Sequence, residues 1–183
     1  MGLASAAAIL FCLAAPAQAG AGDLPLSLFP PDVWIETGDL CTLQVRVEDV
    51  VDSVSCMEIF VRFDPVLLEV ETAGEGRLYE ESPFFTFFDW DLVAPDTVSA
   101  IDCVLGYRTC VITPGELVRF VFRGIAEGRA EVKLAVARLW DVDRAPLGTE
   151  IAGGANIQIG NVTGENPLMP ARGFLSNHPN PFN

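Results

Sequence analysis

Apolar and polar residues alternate along residues 54–70, the most informative stretch of this chain. Every second residue from Met57 to Phe63 is apolar. Because successive side chains of a β-strand point to opposite faces, this period of two predicts a strand with one face in a core. Asp64-Pro65 then predicts a bend, since proline has no N–H for a sheet and restricts the residue before it. Apolar burial resumes after the bend.

The same alternation recurs in short runs that are separated by turn residues. These runs are residues 32–36, 43–47, 54–70, 83–92, 96–104, 115–125, 128–140 and 155–159. Glycine and proline punctuate them, and no segment has a convincing amphipathic helical period. The pattern predicts an all-β sandwich of about nine strands.

The two ends of the chain differ in composition from its middle. Residues 1–19 combine an apolar run with Ala17-Gln18-Ala19, which predicts a signal peptide that is too short to span a membrane. Residues 20–31 would then be an N-terminal segment, 32–160 the sandwich and 161–174 a linker rich in Gly, Pro and Asn. Residues 175–183, LSNHPNPFN, resemble the opening of the C-terminal immunoglobulin-like sorting domain of exported bacterial proteins. This resemblance implies a following domain of which only the start is present.

The net charge of the chain limits the classes of partner that it can bind. The formal net charge is −14 and the pI is about 4.2, so the surface repels phosphate backbones and nucleic-acid binding is excluded. The acidic surface is compatible with solubility outside a cell, with neutral glycans or with cations.

Four cysteines follow the predicted signal peptide, and export would place them in an oxidising compartment. Their spacing favours disulfides over zinc, because no two of them are as close as C-x₂₋₄-C. Cys103 and Cys110 flank a Gly-containing link, so we predict that they pair and that Cys41 pairs with Cys56. Four cysteines allow three connectivities, and the sequence does not decide among them.

Three segments carry a family resemblance. VRFDPVLLEV (61–70), Gly-Arg-Leu at 76–78 and residues 115–143 resemble cohesin domains, the non-catalytic modules of bacterial scaffolding proteins, and their carbohydrate-binding relatives. The resemblance covers residues 32–160 and implies a nine-stranded jelly-roll sandwich. It also implies that the outer face of the strand within residues 54–70 contacts a dockerin-like protein partner.

Glu58, Phe60 and Arg62 would form that outer face. An apolar residue between two charges is typical of an interface centre with a polar rim. The alternative is a cross-strand salt pair beside an aromatic ring that a neighbour covers.

The aromatic run at 83–92 supports a second possible function. Phe85 and Phe87 share one face of a strand, and Phe84, Phe88 and Trp90 share the other. One face belongs to the core. The other is either covered by loops or forms an exposed platform that grips polysaccharide.

The sequence offers little for catalysis or metal binding. His178, the only histidine, lies in the linker-like tail, so no histidine-based active site is expected in the sandwich and we predict that the chain is not an enzyme. Asp141 and Asp143 could donate oxygens to calcium, but the glycine and final glutamate of an EF-hand loop are missing. A hydrated turn is the alternative there.

The favoured prediction is a secreted module that binds a protein, the second a glycan-binding module and the third a structural spacer.

Overall fold

The computed structural model describes residues 23–49 and 53–160, which form two packed β-sheets. Twelve strands and one short helix occur in this part of the chain. In chain order they are β1 Leu24–Phe29, β2 Asp32–Ile35, β3 Leu40–Val47, β4 Cys56–Arg62, β5 Leu68–Glu75, α1 Arg77–Glu80, β6 Thr86–Ala94, β7 Thr97–Val104, β8 Gly115–Gly124, β9 Gly128–Trp140, β10 Pro146–Leu147, β11 Thr149–Gly153 and β12 Ala155–Ile159. The prediction of an all-β sandwich is therefore confirmed.

The first sheet has the strand order β11-β1-β3-β8-β5, and the second has the order β2-β12-β9-β4-β7-β6, with β10 attached to β9. Neighbours are antiparallel except at β1–β11 and β12–β2. The twelve strands exceed the nine predicted. One of the additional strands, β1, lies before residue 32, where the sandwich was predicted to begin, and two others fall between residues 146 and 153.

The core lies between the two sheets and is filled by every second side chain. On β4, Met57, Ile59 and Val61 are fully buried, as the alternation predicts. The rings of Phe63 and Phe122 meet across the interior with centroids 5.5 Å apart. Burial of such side chains contributes about 2 kcal/mol each, so alternation on both sheets is the main source of stability.

The helix α1 was not expected from the sequence, and it is too short to show a helical period. It begins after Gly76, whose backbone packs against β8 so closely that a Cβ atom would lie 2.3 Å from the carbonyl oxygen of Glu116. Only glycine allows this contact. The helix in turn buries Tyr79 at the end of the sandwich. No helix among residues 23–49 and 53–160 has the length and apolar character needed to cross a bilayer.

The disulfide corrects both predicted pairs. Cys56 and Cys103 face each other in the β4–β7 register, with Cα atoms 4.1 Å apart, and they are bonded. Cys41 is free and buried on the inner face of β3, in the opposite sheet, so it cannot reach the outward-facing Cys56. Cys110 is free in the segment between β7 and β8. Cross-strand register, rather than proximity along the chain, decides the pairing.

Candidate functional site

The candidate site is the outward-facing surface of the four adjacent strands β9, β4, β7 and β6, which we call the outer face. The strand register arranges its side chains in three rows that cross the sheet. From β6 to β9 these rows are Phe87–Cys103–Cys56–Trp140, Asp89–Ile101–Glu58–Arg138 and Asp91–Ser99–Phe60–Val136. The outer face is therefore a broad, shallow surface that carries both apolar and charged groups.

The three residues predicted for partner binding all lie on this face. Glu58 accepts a hydrogen bond from the guanidinium of Arg138 on β9. Phe60 is half-buried between Ser99 and Val136, and Arg62 lies 3.6 Å from the carboxylate of Asp96. The cross-strand salt pair named as an alternative is thus present. The apolar side chain of Phe60 lies on the same face, between the charged Glu58 and Arg62 along β4.

The centre of the outer face includes residues that the sequence analysis did not identify. Ile101, in the middle row between Glu58 and Asp89, keeps 38% of its surface exposed. Together with Phe60 and Val136 it forms an apolar centre. The alternation within β7 could have indicated from the sequence that Ile101 faces outward. That Ile101 lies beside Glu58 depends on the order of the strands in the sheet, which the sequence does not show.

The aromatic run divides between the core and the surface. Phe88 and Trp90 pack against the core, while Phe87 points outward with 52% of its surface exposed. Phe85 is 86% exposed. Both are therefore surface residues rather than core or loop-covered ones. Phe84 departs from the predicted alternation and is also exposed, and it lies before β6, which begins at Thr86.

The predicted calcium residues have other partners. One carboxylate oxygen of Asp141 accepts hydrogen bonds from the backbone N–H groups of Asp143 and Ala145, with N–O distances of 2.8 Å in both. The carboxylate of Asp143 lies 3.2 Å from the guanidinium of Arg108. These contacts form a turn. Across the part of the chain that the structure describes, no group of three or more His, Cys, Asp or Glu side chains is placed to hold a metal ion.

Asp89 and Asp91 lie on the exposed outer face, where they and Glu58 line a small depression of about 120 Å³. Hydrolysis of a glycosidic bond requires two carboxylates on opposite sides of the substrate. His178 lies outside the described residues.

Solved structures with the same fold are cohesins. One is a non-cellulosomal cohesin of the archaeon Archaeoglobus fulgidus, with a TM-score of 0.62, 16% identity and coverage of 76% of this chain and 93% of that one. A second is a Clostridium thermocellum cohesin in a cohesin–dockerin complex, with a TM-score of 0.62, 15% identity and coverage of 75% and 99%. A third is a type II cohesin from the cellulosome of Acetivibrio cellulolyticus, with a TM-score of 0.63, 13% identity and coverage of 74% and 95%.

The TM-scores show that this chain shares their fold. No family model and no curated protein matches the sequence.

Proposed function

We propose that this chain is a secreted, non-catalytic binding module that uses its outer face to hold a dockerin-like protein partner. The shared fold supports this, since three of the similar cohesins were solved in complex with dockerins. The predicted signal peptide supports export. The setting would be a bacterial cell surface or an extracellular assembly that degrades polysaccharide.

The single observation that carries the proposal is the composition of the outer face. Phe60, Ile101 and Val136 form an apolar centre, and charged side chains surround it. Interfaces commonly combine such a centre with a polar rim, and aromatic side chains near the centre contribute much of the binding energy. No chemistry is needed for this role, only a rigid surface.

Phe60→Ala is expected to weaken the capture of a partner about thirtyfold, because truncation of a central aromatic typically costs about 2 kcal/mol of binding energy. A panel of purified dockerins supplies the probe, and calorimetry on the best binder gives the dissociation constant. The fold should survive, since Phe60 is only half-buried.

Phe29→Ala is the matched control, because Phe29 is an exposed aromatic residue on β1 in the other sheet. It should leave the dissociation constant unchanged. Equal losses for both variants, or none for Phe60→Ala, would contradict the proposal. Capture of no dockerin at all would favour a structural spacer.

A second candidate function is polysaccharide binding, favoured by the exposure of Phe85 and Phe87. Sugar rings stack on exposed aromatic rings. Co-sedimentation with insoluble polysaccharides tests it. Sedimentation that Phe85→Ala and Phe87→Ala abolish, with no dockerin bound, would establish this function in place of the first.

A further inference from the structure

A groove of about 640 Å³ lies at the end of the outer face, where the disulfide is located. Its floor is the row Phe87–Cys103–Cys56–Trp140, and the segments 104–109 and 142–144 border it. The volume lies within the range of about 300–1,000 Å³ that is typical of ligand-binding clefts. The groove is continuous with the apolar centre through Ile101, which lines it as well.

Two arginines in this groove have an unusual backbone conformation. Arg108 has a φ of 56° and Arg144 a φ of 62°, and among the described residues these are the non-glycine residues with positive φ. This left-handed region is unfavourable for residues with a Cβ atom, and glycine adopts it freely. Both arginines line the same groove, from two different loops. Strained positions of this kind cluster at sites that hold ligands.

The charge of the groove contrasts with that of the whole chain. Arg108 contacts Asp143, and both side chains remain more than half exposed. Arg144 makes no ion pair with any residue of 23–49 or 53–160. On a chain with a net charge of −14, two guanidinium groups beside an apolar floor form a local site for an anionic group.

The surroundings of the groove favour a peptide over a sugar. Ile101, Leu105 and the 91%-exposed Tyr107 stand on or beside it, next to the exposed Phe87. Exposed apolar clusters of this kind mark protein interaction sites, in which tyrosine, tryptophan and arginine are enriched. A glycan would leave these aliphatic side chains without an apolar partner.

We propose that the groove binds an acidic and apolar peptide segment of the protein partner. An aliphatic or aromatic side chain of that segment lies on the disulfide floor between Phe87 and Trp140. Its neighbouring carboxylates contact Arg108 and Arg144. This inference rests on the proposed function, since it assigns a second contact to the same partner.

The double variant Arg108→Gly/Arg144→Gly tests the inference with little risk to the fold. Glycine relieves the unfavourable backbone at both positions, so the melting temperature should not fall. The probe is the peptide Ac-Glu-Leu-Asp-Phe-Glu-NH₂, titrated into the ¹⁵N-labelled chain while the Trp140 indole signal is followed by NMR. We expect saturable shifts in the unchanged chain and at least about tenfold weaker binding in the double variant.

Two controls separate this contact from general charge effects. The peptide with Lys in place of each acid should not bind. Arg77→Ser/Arg129→Ser removes the same two charges from exposed residues that do not line the groove, and it should bind the acidic peptide normally. Unchanged binding by the glycine variant, or no binding by the unchanged chain, overturns the inference.

Two further experiments distinguish the peptide from other occupants of the groove. Binding of oligogalacturonate but not of the acidic peptide overturns the inference in favour of an acidic glycan. Analytical ultracentrifugation tests for a second copy of the chain. A concentration-dependent dimer that is lost in the glycine variant would overturn the inference in favour of that occupant. If a dockerin binds through Phe60 and the glycine variant binds it equally well, the proposed function stands and this inference fails.

Discussion

Replacement of both bonded cysteines, Cys56→Ala with Cys103→Ala, is expected to lower the free energy of unfolding by about 4 kcal/mol. The bond joins residues that are separated by 47 positions, so in the chain-entropy account it removes many conformations from the unfolded state. Both side chains lie on the outer face, so their truncation to alanine leaves no cavity in the core. Urea unfolding monitored by tryptophan fluorescence gives the difference.

Cys110→Ala is the matched control for this prediction. Cys110 is a free thiol in the segment between β7 and β8, and its loss should change the free energy of unfolding by less than about 0.5 kcal/mol. A non-reducing digest analysed by mass spectrometry should contain the Cys56–Cys103 cross-link. A Cys103–Cys110 cross-link, or equal destabilisation by the control, would contradict the pairing that the fold requires.

The sandwich was predictable from the sequence because the alternation of side chains is a local property. Met57, Ile59 and Val61 occupy one face of β4 whatever strand lies beside them. The buried residues of β8 and β9 alternate in the same way except where the register shifts, at 116–118 and between 134 and 139. The strand β1 was missed although Leu24, Leu26 and Leu28 alternate, because it is short and carries Pro25. Proline usually argues against a strand inside a sheet.

The disulfide and the full candidate site were not predictable, because both depend on which strands are neighbours. The β7 register places Cys103 opposite Cys56 and Ile101 opposite Glu58, yet these pairs are far apart along the chain. Trp140 joins the same surface only through the β4–β9 pairing. A single sequence records alternation within a strand but not the order of strands in a sheet. Glu58, Phe60 and Arg62 could be named because one strand supplies all three.

A carboxyl group is buried in the core behind the outer face. Asp102 on β7 is fully buried, and no side chain within the described residues donates a hydrogen bond to its carboxyl oxygens. Burial is the main cause that raises its pKa, and the nearby negative charge of Glu75 raises it as well. A hydrogen bond with the backbone of Cys103 opposes them, and the resulting pKa is about 8. Tyr79 is buried nearby, and burial together with the charge of Asp102 raises its pKa as well. At neutral pH the folded chain therefore holds Asp102 mainly as the neutral acid.

This pKa determines how stability changes with pH. In the unfolded chain Asp102 loses its proton near pH 4, whereas the folded chain keeps the proton until about pH 8. Between these values the folded state binds one more proton, so its stability falls as pH rises. Because each tenfold change in proton affinity corresponds to about 1.4 kcal/mol, we expect the total loss between pH 4 and pH 8 to be about 5 kcal/mol.

Asp102→Asn is therefore expected to be increasingly more stable than the unchanged chain as pH rises from 4 to 8. Asparagine has a similar shape and no charge, so the pH-dependent part of the difference should grow to about 5 kcal/mol and level off above pH 8. Urea unfolding at pH 4.5, 6, 7.5 and 8.5 measures it, and other titrating groups cancel in the comparison. Asp89→Asn, which removes an exposed carboxylate from neighbouring β6, should show no such trend. A constant difference across this range would mean that Asp102 is ionised inside the folded chain and would contradict this prediction.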